Sequence, residues 1–299
     1  MPELPEVETI RRGLSKRIVG KKIVGTDIRV PKNFIGDKNL VIGHEVKEIV
    51  RRAKVVAIKL DNSLNLLFHL KMTGQLIYRQ ESSNIDNQLS GKSKIKSDSF
   101  AGGHPDHNWH AELPNSTTAI IFTFNDGTKL YFNDLRKFGW CKVLNDQELQ
   151  KIFDEEYGLE PFDDKFNAEY LMLRASKIPN RNIKQFLTDQ TIVAGIGNIY
   201  VDESLFDAKI VPTRRVKDIQ KSEWIKIIES VKKILELGIQ FGGTTDSDYV
   251  NADGEKGGMQ NHLKVYRKAG LPCPDECGGK IERISIGGRG THFCRNCQK

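Results

Sequence analysis

The stretch VVAIKLDNSLNLLFHL, residues 55–70, decides the fold class of the first half of the chain. It contains two short runs rich in β-branched and large apolar residues, VVAIKL and LNLLFHL, separated by the polar residues DNS. Such runs are typical of β-strands. Similar runs recur from about residue 22 to 78 and from 118 to 143, where AIIFTF precedes the turn sequence Asn125-Asp126-Gly127. This half is therefore predicted to be a β-sandwich.

A helix is predicted to precede the sandwich, from Glu3 to about Ile18. Its apolar side chains recur at helical spacing and form one stripe: Leu4, Val7, Ile10, Leu14 and Ile18. Glu6 and Glu8 lie near the start of this helix, where the positive end of the helix dipole stabilises acidic side chains. Pro5 fits a first helical turn and would be costly further in.

The second half of the chain shows helical spacing of apolar residues downstream of Phe166. The predicted helices lie near residues 167–176, 180–189, 197–207 and 221–241. With roughly 100 to 200 residues per domain, 299 residues predict more than one domain. The fold class is therefore α+β and multidomain. The predicted parts are a sandwich domain at 1–145 with a polar insert at about 81–112, a helical domain at 146–260, and a cysteine-bearing tail at 261–299.

The charge balance points to a polyanionic partner. Lysine and arginine number 46 against 39 aspartates and glutamates, which gives a net charge of +7. Basic side chains gain affinity for phosphates by releasing counterions. No run approaches the roughly 18 apolar residues of a membrane span, and the N-terminus carries acids where a signal peptide carries basic residues. We expect a cytoplasmic, monomeric protein without membrane contacts.

Four of the five cysteines lie close together near the C-terminus, and Cys141 stands alone and is predicted to be part of the core. Three residues separate Cys273 from Cys277, and two separate Cys294 from Cys297. This spacing is typical of a four-cysteine site for one structural zinc ion. His262 and His292 are the alternative ligands.

A β-hairpin is predicted between the two cysteine pairs, because apolar residues alternate before the sequence Gly287-Gly288-Arg289-Gly290. Arg289 at its tip is placed to reach a phosphate or a reaction intermediate. A simpler interpretation, compatible with the first, is that zinc only folds a tail too small to have its own core.

Six separated motifs, in order along the chain, resemble the formamidopyrimidine-DNA glycosylase family. They are MPELPEVETIRRGL at 1–14, RRAK at 51–54, HLKMTG at 69–74, NDLRKFG at 133–139, GIGNIYVDESLF at 195–206, and the ending GRGTHFCRNCQ. The resemblance implies an N-terminal β-sandwich, a helix-two-turn-helix domain and a zinc finger. It also implies excision of oxidised purines from duplex DNA, followed by β,δ-elimination at the abasic site.

The resemblance makes Pro2 the nucleophile. Removal of Met1 would expose a secondary amine that can attack the sugar C1′ and form an iminium. An α-amine titrates near 8 and lysine near 10.4, so the α-amine is the readier nucleophile at neutral pH. Glu3 is expected to protonate the sugar ring oxygen, which requires a raised pKa, with Glu6 in support. In the alternative interpretation, the glutamates only stabilise the helix start.

Reaching a base inside a duplex requires flipping it out and filling the vacated stack. The resemblance assigns this task to Met72, Arg136 and Phe138, with Arg136 pairing with the orphaned base. In the alternative interpretation, Met72 and Phe138 are core residues and Arg136 is a surface charge.

Further residues are assigned by the same resemblance. Lys54 binds phosphate and assists β-elimination, and Arg289 assists δ-elimination. Asn198 holds a phosphate together with backbone N–H groups at a helix start. Lys184 faces the DNA. The loop at 244–260 is expected to close over a flipped purine.

The chain also departs from the family pattern and leaves alternatives open. The first cysteine pair has three intervening residues instead of two, the insert is longer, and residues 115–118 (NSTT) replace a basic stretch. His104, Asp106, His107 and His110 form either a second metal cluster or an ordinary loop. Two rival functions remain: an endonuclease VIII-like glycosylase for oxidised pyrimidines, and a non-catalytic DNA-binding protein.

Overall fold

The computed structural model describes residues 1–80, 100–103, 113–244 and 257–299. Residues 81–99 and 104–112 of the predicted insert, which include His104, Asp106, His107 and His110, lie outside this described part, as do residues 245–256 of the predicted loop. Residues 100–103 of the insert are described and form a strand. The chain divides into two compact units. The first comprises Met1–Pro2, Glu6–Gln150 and Gly242–Gly258, and the second comprises Glu3–Pro5, Lys151–Phe241 and Met259–Lys299. The cysteine-bearing tail thus belongs to the same compact unit as the helical segment.

The first unit is the predicted β-sandwich with its leading helix. Helix α1 (Leu4–Ile18) precedes two five-stranded sheets, ordered β1-β8-β9-β6-β7 and β2-β10-β5-β4-β3. The strands are β1 Ile23–Ile28, β2 Phe34–Ile35, β3 Val46–Arg52, β4 Val55–Leu60, β5 Leu64–His69, β6 Gly74–Arg79, β7 Phe100–Gly103, β8 Thr118–Phe124, β9 Lys129–Asp134 and β10 Trp140–Asn145. Val7, Ile10, Leu14 and Ile18 of α1 pack in the same core as Cys141, as the sequence predicts.

Strand register brings three of the sequence motifs to one end of the sandwich. In the second sheet Val55 pairs with Arg52 and with His69, and His69 also pairs with Trp140. In the first sheet Gly74 pairs with Asp134. The β3–β4 turn, the β5–β6 connection and the β9–β10 connection therefore lie at the same end of the strands. These segments carry RRAK, HLKMTG and NDLRKFG.

The second unit is helical and ends in a β-hairpin. Its helices are α3 Ala168–Ser176, α4 Ile183–Leu187, α5 Asn198–Asp207 and α6 Lys221–Gln240, and the hairpin pairs β11 Ile281–Ile286 with β12 Arg289–Cys294. The predicted helices are confirmed to within a few residues. Helix α2 (Asp146–Glu155) was not predicted, although Leu149, Ile152 and Phe153 recur at helical spacing in this short, mostly polar segment. Among the described residues, none of the helices combines the length and apolar character that a membrane span needs.

Glu8 connects α1 to the β3–β4 turn. Its buried carboxylate accepts hydrogen bonds from Arg11 (2.7 Å), Arg12 (2.8 Å) and Arg51 (3.2 Å). Arg51 in turn donates to the carbonyl of Ala53 in the turn (3.2 Å). Burial raises the pKa of Glu8, but the hydrogen bonds and charges of the arginines outweigh burial and lower it to about 2. This carboxylate therefore helps to hold the turn in place.

Replacing Glu8 with Gln is expected to lower the free energy of unfolding at pH 7 by about 1 kcal/mol, the range of partly screened ion pairs. Because the pKa of Glu8 is lower in the folded state, its contribution is present above the unfolded pKa of about 4.3 and is lost as the pH falls towards about 2. Urea unfolding of both proteins at pH 7, 5 and 3 measures this. If the difference in unfolding free energy between the two proteins stayed constant from pH 7 to pH 3, the stabilising role of the ionised Glu8 carboxylate would be contradicted.

Candidate active site and zinc site

The Glu3 carboxylate binds the N-terminus of helix α5. It accepts the backbone N–H groups of Gly197 (2.7 Å), Ile199 (2.9 Å) and Tyr200 (3.4 Å), and the Glu3 residue is only 3% exposed. The next residue, Leu4, donates its own N–H to the carbonyl of Gly195 (2.9 Å). Both the dipole and the N–H groups at a helix start favour a bound carboxylate. Glu3 is therefore held in one position.

The two glycines of the GIGNIY motif make room for this contact. Gly195 has a φ of +97°, and a Cβ there would lie 2.7 Å from the Leu4 side chain. A Cβ on Gly197 would lie 2.5 Å from the Glu3 carboxylate carbon. Larger residues at either position would displace the start of the chain.

This arrangement corrects one prediction about the helix start. The sequence predicts that the backbone N–H groups at the start of α5 bind a phosphate. Those of Gly197, Ile199 and Tyr200 instead bind Glu3. Asn198 is half-buried, and its Oδ1 has no hydrogen-bond partner in the described part of the chain. Any phosphate contact at this point is therefore expected from the Asn198 side chain.

Pro2 directly precedes Glu3 in the sequence, and Glu6 follows Glu3 by three residues. Both Pro2 and Glu6 belong to the first unit. Pro2 is buried. Glu6 is also buried, and its carboxylate accepts the backbone N–H of Thr244 at 2.8 Å. Glu6 therefore holds the first residue of the predicted 244–260 loop against α1.

Lys54 lies in the turn between β3 and β4 and is 5% exposed. Ala53 before it has a φ of +49°, in the left-handed region. His69 lies close enough to Lys54 to feel its charge, and no sequence pattern had singled His69 out. Burial, together with the charges of Lys71 and Lys54, lowers the pKa of His69 to about 3. Its Nδ1 accepts the backbone N–H of Lys71 at 3.0 Å, so the imidazole is neutral at pH 7.

Met72, Arg136 and Phe138 are exposed at the same end of the sandwich. Met72 is 48% exposed and Phe138 is 55% exposed, which excludes the interpretation that they are core residues. The Arg136 guanidinium lies 4.8 Å from the centre of the Phe138 ring. Leu135 is also 56% exposed, which the sequence analysis did not anticipate. Large apolar side chains displayed together on a surface indicate a binding site.

Lys184 is buried rather than facing a ligand, which corrects the sequence-based prediction. It is 2% exposed, and its Nζ lies 2.7 Å from the carboxylate of Asp202. It also donates to the Gly290 carbonyl (3.0 Å) and the Thr291 hydroxyl (2.9 Å). Burial lowers the pKa of Lys184, and the Asp202 carboxylate partly offsets this effect. Lys184 therefore anchors strand β12, on which Arg289 lies.

Arg289 is exposed at the first position of β12, directly after the Gly287-Gly288 turn. It lines a shallow cavity of about 210 Å³ together with Arg181 and Gln185. The hairpin prediction is confirmed, and Arg289 lies beside the tip instead of on it. Asp189 also lines this cavity and pairs with Arg181 at 2.6 Å, so Arg289 is the lining cation best placed to bind a phosphate group.

The four clustered cysteines converge on one point. Their Sγ atoms all lie within 4.8 Å of one another, with 3.7 Å between Cys273 and Cys297 and 3.4 Å between Cys277 and Cys294. A tetrahedral zinc ion with Zn–S bonds of about 2.3 Å needs sulfur separations of about 3.8 Å. The residues therefore fit one structural zinc ion.

The longer spacing of the first cysteine pair is accommodated by local backbone geometry. Glu276 and Gly278, on either side of Cys277, have φ angles of +52° and +76°. Neither alternative histidine belongs to the cluster among the described residues. The His292 Nδ1 instead lies 3.2 Å from Asp202, and His262 stacks on Phe241.

Comparison with known proteins gives one consistent result. Family models match three segments: the formamidopyrimidine-DNA glycosylase N-terminal domain at residues 1–141, the formamidopyrimidine-DNA glycosylase H2TH domain at 157–250, and the zinc finger found in FPG and IleRS at 270–299. These three models account for most of the chain.

Full-length relatives agree. The formamidopyrimidine-DNA glycosylase of Desulforamulus reducens is 36% identical over 100% of this chain and 99% of its own, and that of Streptococcus mutans is 38% identical over 100% of both. A Lactococcus lactis Fpg variant in complex with a Fapy-dG containing DNA superposes with a TM-score of 0.82 and 32% identity, covering 100% of both chains. The Lactococcus lactis Fpg with an abasic site containing DNA gives a TM-score of 0.81 and 32% identity over 99% of each chain. The chain therefore belongs to the formamidopyrimidine-DNA glycosylase family.

Proposed function

We propose that this member of a family of DNA glycosylases with AP-lyase activity excises oxidised purines from duplex DNA and nicks the resulting abasic site. The observation that carries the proposal is the Glu3 carboxylate, fixed by the start of α5 and covalently next to Pro2. A nucleophile and a proton donor in adjacent residues are the two groups that Schiff-base excision needs.

Pro2 supplies the nucleophile once Met1 is removed. The lone pair of its secondary amine forms a bond to the sugar C1′, and the electrons of the glycosidic bond leave with the damaged base. The attacking nitrogen then loses its N–H proton to the Glu3 carboxylate, and the freed lone pair forms the iminium as the bond from C1′ to the ring oxygen breaks. Glu3 passes this proton to the ring oxygen, so the carboxylate that the three N–H groups bind is restored. Glu3 is held by three backbone N–H groups and cannot drift from its neighbour.

Strand cleavage follows from the iminium. Loss of a C2′ proton expels the 3′ phosphate, and a second elimination expels the 5′ phosphate. Lys54 is assigned to the first elimination as a phosphate ligand and proton donor, and Arg289 is assigned to the second as a phosphate ligand. The neutral His69 beside Lys54 adds no second positive charge there.

The exposed apolar side chains suit the stack left by a flipped base. Met72 and Phe138 would fill the vacated space, and Arg136 would donate hydrogen bonds to the orphaned base. Asn198 would hold a backbone phosphate through its side chain. Zinc, when bound by the four cysteines, is structural and closes the base of the hairpin that carries Arg289.

The names of related proteins support oxidised purines as the substrate class. Related enzymes are named for formamidopyrimidine, and a solved complex of one holds a Fapy-dG containing DNA. The described part of the 244–260 loop begins at Thr244, which Glu6 binds.

Keeping the Pro2 nitrogen in a peptide bond, by means of an N-terminal extension, is expected to abolish borohydride trapping on a duplex with 8-oxoguanine opposite cytosine, because an amide nitrogen has no lone pair free to form the iminium. Mass mapping of the adduct on wild-type protein, with Met1 removal verified, should locate it at Pro2. The same protein after cleavage of the extension, which exposes the Pro2 amine, is the matched control and should trap like wild type. Trapping retained with the extension in place would contradict the assignment.

The same assay on a thymine glycol duplex tests the substrate class. We expect adduct formation to be faster with 8-oxoguanine by about tenfold or more, the range that one well-placed polar contact gives. An adduct that forms only with thymine glycol would indicate an endonuclease VIII-like glycosylase for oxidised pyrimidines. Duplex binding without an adduct on either substrate would indicate a non-catalytic DNA-binding protein.

Replacing Lys184 with Met is expected to weaken binding of a duplex with a tetrahydrofuran abasic analogue by at least about tenfold, because Asp202 is left as an uncompensated buried charge and the hairpin loses its anchor. Fluorescence anisotropy at fixed salt measures the dissociation constant. Lys165→Met, which removes an exposed lysine, controls for the lost charge. Because Lys184 acts through the hairpin, its effect should shrink in an Arg289→Ala background, and full additivity would contradict this role.

A further inference from the structure

We infer that Asp134 and Thr73 are positioning residues that lock the two connections carrying Met72, Arg136 and Phe138 into one preformed unit. We call these connections, residues 70–73 and 135–139, the wedge loops. The inference rests on the proposed insertion of their exposed side chains into the base stack. Asp134 is fully buried and can act only through the loops that it binds.

Asp134 is the last residue of β9 and is completely buried. Its Oδ1 accepts a short hydrogen bond from the Thr73 hydroxyl and another from the backbone N–H of Arg136 at 3.2 Å. Its Oδ2 accepts the backbone N–H of Gly139 at 2.6 Å. One carboxylate therefore binds both ends of the second wedge loop and the end of the first.

Thr73 closes the connection between the loops. Its hydroxyl donates to Asp134, and its oxygen accepts the Arg136 N–H at 3.0 Å. The N–H of Arg136 is thus shared between Thr73 and Asp134. The residue after Met72 and the residue that carries the guanidinium are held together by these bonds.

The backbone of both loops is held in a costly conformation. Lys71, directly before Met72, has a φ of +51°, and Lys137, directly before Phe138, has a φ of +55°. Side chains other than glycine adopt this region only where the surrounding structure imposes it. The Lys71 N–H is held by His69 Nδ1 at 3.0 Å, and the bonds from Asp134 to Arg136 and Gly139 enclose Lys137.

Close packing leaves the loops little freedom. A Cβ on Gly139 would lie 2.7 Å from the Phe132 ring and 3.0 Å from the Asp134 carboxylate. The buried Asn33 side chain also donates a short hydrogen bond to the Gly139 carbonyl. The loops are therefore ordered before DNA arrives, which removes an ordering cost from the insertion step.

A substrate without a stack separates positioning from a general structural role. Excision of 8-oxoguanine from a duplex needs the inserted side chains, whereas β-elimination at an abasic site in single-stranded DNA needs no base pair to be opened. Loss of the lock should therefore slow the first reaction and leave the second unchanged.

The test uses Thr73→Val, which keeps the shape of the side chain and removes the hydroxyl. In single-turnover assays we expect duplex excision to slow by about tenfold or more, the effect of one hydrogen bond to a charged group. Single-strand β-elimination should stay within about twofold of wild type, a change too small to reflect a lost hydrogen bond. Thr73→Ser, which restores the hydroxyl, should recover the duplex rate. The matched control is Thr123→Val. Thr123 pairs with Lys129, at the end of β8 away from the Thr118–Asn133 pair that lies next to Asp134. This variant should behave like wild type.

Two reference variants keep this inference separate from the proposed function. If Met72→Ala and Phe138→Ala slow duplex excision but Thr73→Val does not, the positioning role is overturned and the insertion proposal stands. If neither reference variant slows duplex excision, the insertion proposal itself fails. Equal slowing of both reactions by Thr73→Val would also overturn the inference, because it would indicate general damage to the fold.

Hydrogen exchange gives a readout that does not depend on activity. The amides of Arg136 and Gly139 should exchange at least about tenfold faster in Thr73→Val than in wild type, because their shared acceptor loses its partner. The Thr123→Val control should leave both amides protected. Unchanged protection in Thr73→Val would overturn the lock.

Discussion

The contact between the Glu3 carboxylate and the N-terminus of α5 is the interaction on which the candidate active site depends. Three backbone N–H groups and the helix dipole fix one carboxylate, and the residue before it is Pro2. The chain start would otherwise fray, as free termini do. Two glycines at 195 and 197 are required because any side chain there would overlap Leu4 or Glu3. A helix start of the kind that binds phosphates here binds the Glu3 carboxylate.

The same physical device recurs elsewhere: a buried polar group fixes the backbone that displays an exposed side chain. Lys184 and Asp202 hold the strand that carries Arg289. Asp134 holds the connection that carries Arg136. A buried charge is costly unless its partners are in place, so each of these groups specifies one local conformation. Exposed residues gain fixed positions in this way without losing their own access to a ligand.

Much of the fold could be predicted from periodicity, because strands and long helices bury regular stripes of apolar residues. Helix α2 has only a short stripe, Leu149, Ile152 and Phe153, within ten mostly polar residues, and it was not predicted. Whether the candidate functional side chains are buried or exposed was harder to predict. Met72 and Phe138 look like core residues by composition, and only their exposures of 48% and 55% show that they are displayed. Lys184 looks like a surface cation, and only its 2% exposure shows that it is an internal anchor.

Spacing along the chain, which the sequence contains directly, was enough to predict the sandwich, the order of the helices and the four-cysteine cluster. The resemblance of six motifs to one family then marked Pro2 and Glu3 as candidate catalytic residues. Which polar groups meet became clear from the folded chain alone: Glu3 with the start of α5, Lys184 with Asp202, and Thr73 with Asp134. The residues of these pairs are 18 to 197 positions apart, from Lys184 and Asp202 to Glu3 and Tyr200. Burial and pairing at such separations arise from packing, so no local pattern records them.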